Sequence, residues 1–437
     1  MGSHRGRMVG VRLFNRKGSG KFDHDSSKSS NNAAQDQPKS VRSWISSVVE
    51  VVDIMGWIFR RRSPAVLTLT AFQVFTWHNI AVAHVKWFAP YIVGAPPKPV
   101  ALTLRNPWFL CGIIAVLAFF IVARMVERST SGILLHQYLD RATACLWHRI
   151  DDYVRVTVGA FFVAIFAVGG IYLTPDLKTP AEWVSWIQLI IAGLIFFRTT
   201  MPLAGGGIVV LWLLAAREYD LFHLLDYLAL GLGVAAYLIL EPLDEHWRKH
   251  RFESLRLGLS IALMWSSLEK FAYPEWFYPL VVEKPYLTFG LPQDVFIPMA
   301  GVAEFTMGFG LLWTSLIRRL SAVALLVIFT AAVYPFGRTD LIGHGLIMAI
   351  LVAVVCDRDI TAITLLKRDF AAIPIGLVLS MAMFMSGYWG LHLAIYGPVG
   401  PTEAAGDAKF THSHNAEYPH GPASDTEIGA PPTKPDD

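Results

Sequence analysis

Six side chains that carry charge or an imidazole stand inside or beside long apolar runs: His223 and Asp226 near the middle of the chain, and Glu269, Lys270, Glu304 and His344 in the C-terminal half. A charge in hydrocarbon costs roughly 2.5–3.5 kcal/mol on insertion scales, so such groups face a protein interior and handle protons, ions, electrons or a polar ligand. His223 and Asp226 are three residues apart and therefore neighbours on one helical face. That spacing suits an imidazole oriented by a carboxylate, or two ligands of a metal. Near the C-terminus, His412, His414 and His420 form an H-x-H with a third His, a pattern able to capture copper or zinc transiently. A P-loop, a dinucleotide fingerprint, HExxH and a Gly-x-Ser-x-Gly elbow are all missing from the chain.

The elements that must position these groups follow from hydropathy. The chain has 437 residues, 54% hydrophobic and 16% charged, with mean hydropathy +0.44. That composition belongs to an all-α polytopic membrane protein and not to a soluble globule. The net charge of +3 is too small to point to nucleic acid. Residues 1–43 are polar and basic and read as a disordered cytoplasmic tail, and 44–62, which carries Glu50 and Asp53 and ends in three arginines, as an interfacial amphipathic helix. About eleven spans then follow, over 65–88, 107–124, 154–174, 183–200, 203–216, 221–240, 256–273, 294–316, 320–336, 341–356 and 371–396. Arginine and lysine concentrate in alternate connections (Arg124 to Arg149, Arg248 to Arg251, Arg318 and Arg319, Arg358 to Arg368). The bias puts the N-terminus in the cytoplasm and the tail 398–437 outside, and Arg198 reads as a cytoplasmic anchor. Cys111, Cys145 and Cys356 are far apart and form neither a disulfide framework nor a dithiol motif.

Two four-helix blocks look related. In the first, over 153–253, Arg217 precedes His223 by six residues, in REYDLFHLLDYLALGLG. In the second, over 254–370, Arg338 precedes His344 by six, in GRTDLIGHGLIMAILVA. Four spans restore the starting side, so the repeat is parallel. A two-span N-terminal segment (63–152) and a last span (371–397) flank the blocks. The second block holds SLEKFAYPEWF at the mouth of an outward helix, an aromatic and Pro-rich loop, GVAEFTMGFGLL, and a later helix opening with GHG. Over 254–357 it resembles the DoxX/DoxD-like family of small four-helix membrane proteins, and the preceding block resembles that family weakly. Relatives in that family include membrane subunits of thiosulfate:quinone oxidoreductases, so the resemblance implies a quinone-linked role, with two DoxX-like bundles in tandem.

The loop charges place nearly all the intramembrane ionisable groups in the outer half of the membrane. His223, Asp226, Asp340 and His344 lie towards the outer face, Glu269 and Lys270 near an outer helix end, and Glu304 near the midplane. Four roles suit Glu269, Lys270, Glu304 and His344. One is a quinone headgroup pocket, in which Lys270 and His344 donate and Glu304 relays protons. The others are a proton or ion path, a metal site, and a structural arrangement in which Lys270 pairs with Glu304 or snorkels. In the pocket, Glu304, His344, Lys270 and Glu269 take the reactive roles, and His223, Asp226 and Asp340 help to hold the cofactor. The expected function is a quinone-linked redox component of the bacterial inner membrane, with an extracytoplasmic redox partner. An ion or metal transporter, or a scaffold for a periplasmic enzyme, is the alternative.

Overall fold

The structure, a computed structural model, describes residues 93–358 and 372–397. The expected span over 65–88, the segment 44–62 and both tails, with His412, His414 and His420, lie outside the described residues. Within them the chain is 81% helix and contains no strand.

A short helix α1 (Val100–Arg105) leads into α2 (Pro107–Arg128). Asn106 caps α2 by accepting from the amides of Trp108 and Phe109, and Pro107 occupies the first helical position, where no amide proton is needed. The basic connection after α2 is itself helical: α3 (Thr130–Trp147) starts at Ser129, whose hydroxyl accepts from the Gly132 amide. Its exposed Ile133, Leu134 and Tyr138 are interspersed with His136, Gln137 and the charged Asp140 and Arg141, so hydropathy averaged over a span-length window reads the segment as a connection.

The first block folds as α4 (Ile150–Val168), α5 (Glu182–Ile195), α6 (Met201–Ala215) and α7 (Leu221–Leu240). After the one-turn α8 (Glu245–Arg248), the second block contributes α9 (Arg251–Ser267), α10 (Glu269–Ala272), α11 (Tyr278–Glu283), α12 (Gln293–Gly310) and α13 (Ser315–Cys356). The final helix is α14 (Ala372–Tyr396). The loop between Tyr273 and Tyr286 folds into two 3₁₀ turns around α11, because Pro274 and Pro285 start a turn but cannot extend a ladder.

Five described helical segments are long and apolar enough to cross a membrane: α2, α7, the two arms of α13 and α14. α5 and α6 are apolar but have only 14 and 15 residues. The span expected over 154–174 ends at Val168, where Gly169 and Gly170 take φ of +72° and +62° and turn the chain into a loop. The spans expected over 320–336 and 341–356 are the two arms of α13, Ser315–Tyr334 and Phe336–Cys356. Gly337, with φ +67°, reverses the direction. The Phe329 and His344 ring centroids are 4.6 Å apart, although fifteen residues of straight helix would separate them by about 22 Å.

The core has two parts, and they do not follow the boundary between the blocks. One combines α4 to α7 with Leu325, Phe329, Leu346 and Ile350 of α13. The other combines α2, α9, α10, α12 and α14 through Phe109, Phe271, Phe305 and Tyr388. α7 and α9 join the two blocks at a close crossing of Ala229 and Gly233 on Ser254 and Gly258, a small-xxx-small pattern on both helices.

Asp151, just before the apolar part of α4, ties that helix to α7 and α9. It accepts from Tyr237 at 3.0 Å, Arg248 at 2.7 Å, and Arg251 at 2.8 and 3.1 Å. Burial alone would raise its pKa, but the hydrogen bonds and charge of Arg251, with Tyr237 and Arg248, outweigh that and hold it below the ordinary 3.8. A depressed carboxylate stabilises the fold fully above its unfolded pKa, and the contribution disappears as pH falls through the lowered folded value. Thermal melts between pH 6 and about pH 3 are therefore expected to show an acid-side loss of stability that Asp151→Asn makes shallower. An unchanged slope in the variant would contradict this assignment.

Candidate functional site

The loop after α4 is held against the first block by Gln188 of α5, which donates to the carbonyls of Ile171 and Tyr172 at 2.5 and 2.9 Å. Tyr219 pins the far side by donating to the Lys178 carbonyl at 2.7 Å. This anchoring puts Asp176, fully buried, over the start of α7. Asp176 meets His223 Nε2 at 2.9 Å and accepts from the Tyr227 hydroxyl at 2.5 Å. His223 Nδ1 lies 3.7 Å from Asp226 on the next turn. The two carboxylates therefore flank one buried imidazole, a set of groups whose chemistry suits proton transfer.

Asp226 lies within electrostatic reach of the final helix. The hydroxyl of Tyr388, on α14, lies within electrostatic reach of Glu269, Tyr273, Asp226 and Tyr396. Tyr388 is buried, and its hydroxyl has no hydrogen-bond partner among the described residues; the same holds for His392 Nε2 and Trp265 Nε1. Tyr388, His392 and Tyr396 are spaced by four and share one helical face. Phe222 packs against all three rings, and Tyr396 donates to Asp220, which also caps α7. A buried hydroxyl without a partner costs roughly 1–3 kcal/mol, so this cluster is poised to take a polar ligand.

Glu269 and Lys270 sit on adjacent positions of α10 and point to different neighbours. Glu269 belongs to the Tyr388 cluster, whereas Lys270 turns to α12. There its ammonium meets Glu304 at 2.5 Å and lies 5.0 Å from the centre of the Phe277 ring. Ser266 donates to the other Glu304 oxygen at 3.4 Å. Gly301 makes the approach possible, since a Cβ there would come within 2.8 Å of Phe271 and 3.0 Å of Lys270. A cavity of about 420 Å³ opens between α7 and α9, lined by Leu225, Ala229, Leu232, Leu257, Ile261 and Trp265, with Leu391 of α14. Its Trp265 end abuts Tyr388, with ring centroids 4.9 Å apart.

The expected residues thus fall into separate groups. Lys270 and Glu304 meet directly, as do His223 and Asp226. His344 is held by Asp340 at 3.0 Å, one turn earlier on the same arm of α13, under Phe329. Among the described residues no hydrogen bond or ion pair joins His344 to Glu304. Arg198 pairs with Glu241 at 3.1 Å and so joins the end of α5 to the end of α7. Among the described residues no group of three or more His, Cys, Asp or Glu is arranged to hold a metal ion.

Asp176, Tyr227 and Tyr388 escape notice at the level of sequence. Asp176 sits in a loop, TPDLKTP, that looks only polar. The Tyr388, His392, Tyr396 spacing was the available signal, because three polar aromatics on one face of an apolar helix require polar neighbours.

Five apolar helices, many of their large side chains exposed, make this an all-helical protein of the multi-pass membrane class. No family model matches the chain, and no curated protein or solved structure is significantly similar to it.

Proposed function

We propose that this chain is a DoxX-like, quinone-linked redox component of the bacterial inner membrane. In this reading it has about eleven spans in two tandem four-helix blocks with flanking helices, its N-terminus in the cytoplasm and its C-terminus outside. The observation that carries the proposal is the run of buried polar groups from Asp176 through His223 and Asp226 to Tyr388 and Glu269. It borders an apolar cavity between helices. An isoprenoid tail fits the cavity, and the headgroup falls beside Trp265 and Tyr388. The unpartnered Tyr388 hydroxyl and Trp265 N–H are donors for a carbonyl oxygen. Glu269 and Asp226 are the nearest carboxylates for taking up or delivering a proton. Lys270, locked on Glu304, sets the position of α10 and the positive charge behind Glu269. A bound quinone supplies two-electron, two-proton chemistry, and its electrons come from an extracytoplasmic partner.

Extraction of the detergent-purified protein should yield quinone at about one per chain. Tyr388→Phe should lower that occupancy while leaving the gel-filtration profile unchanged. The same run of carboxylates and imidazole supports a second reading, a proton or ion path through α7 and α14. Proteoliposomes that carry an ion current, from protein that retains no quinone and reduces none, would establish the second reading at the expense of the first.

A further inference from the structure

α3 runs across the ends of other helices and not along them. A single extended residue, Ser129, separates it from the end of α2. Gly132 makes so tight an elbow possible, because a Cβ there would collide with the Val126 carbonyl oxygen. Further along, Asp140 accepts from Arg319, in the first turns of α13, at 2.7 Å, and its carbonyl accepts from Arg358, just past the end of α13. The Trp147 ring centroid lies 5.7 Å from that of Phe252, at the start of α9. α2 is long and apolar enough to cross a membrane. A helix that turns off at its end and passes the ends of α13 and α9 therefore lies at the level of the membrane surface.

The outward face of α3 is not that of a helix surrounded by water. Leu134, Tyr138, Arg141 and Cys145, at steps of four, three and four, form one exposed stripe. Leu134 is 61% and Tyr138 52% exposed, and exposed apolar side chains lead towards them from Val122, Met125 and Val126 in the last turns of α2. Arg141 and, just past the helix, Arg149 are also exposed. The two acidic residues between 127 and 149, Glu127 and Asp140, turn instead to Arg124 and Arg319. The stripe thus combines apolar anchors with cations and carries no acid.

We infer that this face of α3 lies in the headgroup layer of a bilayer and binds acidic lipid there. Leu134 and Tyr138 enter the boundary between headgroups and acyl chains, the depth that amphipathic helices and tyrosine rings prefer. Arg141 and Arg149 reach the lipid phosphates, to which a guanidinium offers a fork of N–H donors. A soluble partner would cover the stripe but not the apolar surface of α2 that leads into it; lipid covers both.

The test places an environment-sensitive fluorophore on Cys145 of the full-length Cys111→Ser chain, the third cysteine, Cys356, being buried. The protein is held in phosphatidylcholine nanodiscs. Nitroxide-labelled phosphatidylglycerol or nitroxide-labelled phosphatidylcholine is titrated in, and iodide reports access from water. Both lipids are expected to quench and iodide to quench weakly. Phosphatidylglycerol should act at a mole fraction roughly 25-fold lower, about fivefold for each of two basic residues at an acidic surface. Arg141→Gln and Arg149→Gln, changes of exposed side chains, should each remove about fivefold of that preference. Arg105→Gln, an exposed arginine at the other end of α2, should leave it unchanged. Quenching by iodide and by neither lipid overturns the inference, since the stripe then faces water. Protection from all three quenchers overturns it in favour of a protein surface such as a second copy. Equal quenching by the two lipids, or a preference undiminished in both arginine variants, overturns the binding of acidic lipid.

Discussion

Glu304→Ala is expected to destabilise the protein by about 3–5 kcal/mol, the range for breaking one side of a buried ion pair. The Lys270 ammonium is 6% exposed and has Glu304 as its ion-pair partner at 2.5 Å. With Glu304 truncated, that charge keeps the Phe277 ring, 5.0 Å away, as its main remaining compensation, a contact worth about 2 kcal/mol when desolvated. Lys270→Met in the Glu304→Leu background is expected to recover most of the loss, because an apolar pair of similar volume removes the desolvation cost together with the attraction. Chemical denaturation of the four variants of the cycle in detergent checks this. A Glu304→Ala protein as stable as the parent would mean that the ammonium reaches water. If Glu304 also serves the proposed quinone chemistry, the rescued double variant should be stable and still impaired, which separates the structural role from the chemical one.

Gly258→Leu is expected to prevent α7 and α9 from packing, with a loss above about 4 kcal/mol, the range reached by severe overpacking. A Cβ at Gly258 would stand 2.6 Å from the Ala229 carbonyl oxygen, 2.6 Å from Gly233 Cα and 3.0 Å from Gly233 N. All three atoms belong to the backbone, so no side-chain rotation relieves the clash and α7 itself must move. That movement would also open the cavity beside Trp265 and separate His223 and Asp226 from Glu269 and Tyr388. Gly387→Ala is the matched control, since nothing lies within 4 Å of a Cβ there, and alanine favours a helix by about 1 kcal/mol over glycine. Size-exclusion profiles and melting curves of the two variants should diverge, and a well-folded Gly258→Leu would refute the close crossing.

Several features were legible without coordinates because they rest on local chemistry. Hydropathy alone located α2, α7 and α14 to within a few residues, since apolar runs of that length have few other stable solutions. The Lys270–Glu304 pair was foreseeable as one of four roles, because two opposite charges in neighbouring apolar helices seek each other. The hairpin at Gly337 was half legible. A break was expected there, but Arg338 and Asp340 looked like a polar loop, whereas Gly337 makes the turn and both residues enter a helix.

What composition and spacing determined by themselves is the class of the molecule and its list of costly residues, for these depend only on the length of apolar runs and on which charges interrupt them. The tertiary structure decided the grouping. Glu269 and Lys270 are adjacent in sequence yet serve different neighbours, because successive helical positions point about 100° apart. Asp176 and Tyr388, more than two hundred residues apart, both border the pair formed by His223 and Asp226. A loop pinned by Gln188 and a final helix packed on Phe222 carry them there. His344, which follows an arginine by six residues as His223 does, pairs with Asp340 on its own arm. Such partnerships depend on which faces meet when α7 crosses α9 at Gly233 and Gly258, and that crossing is a property of the packed helices together.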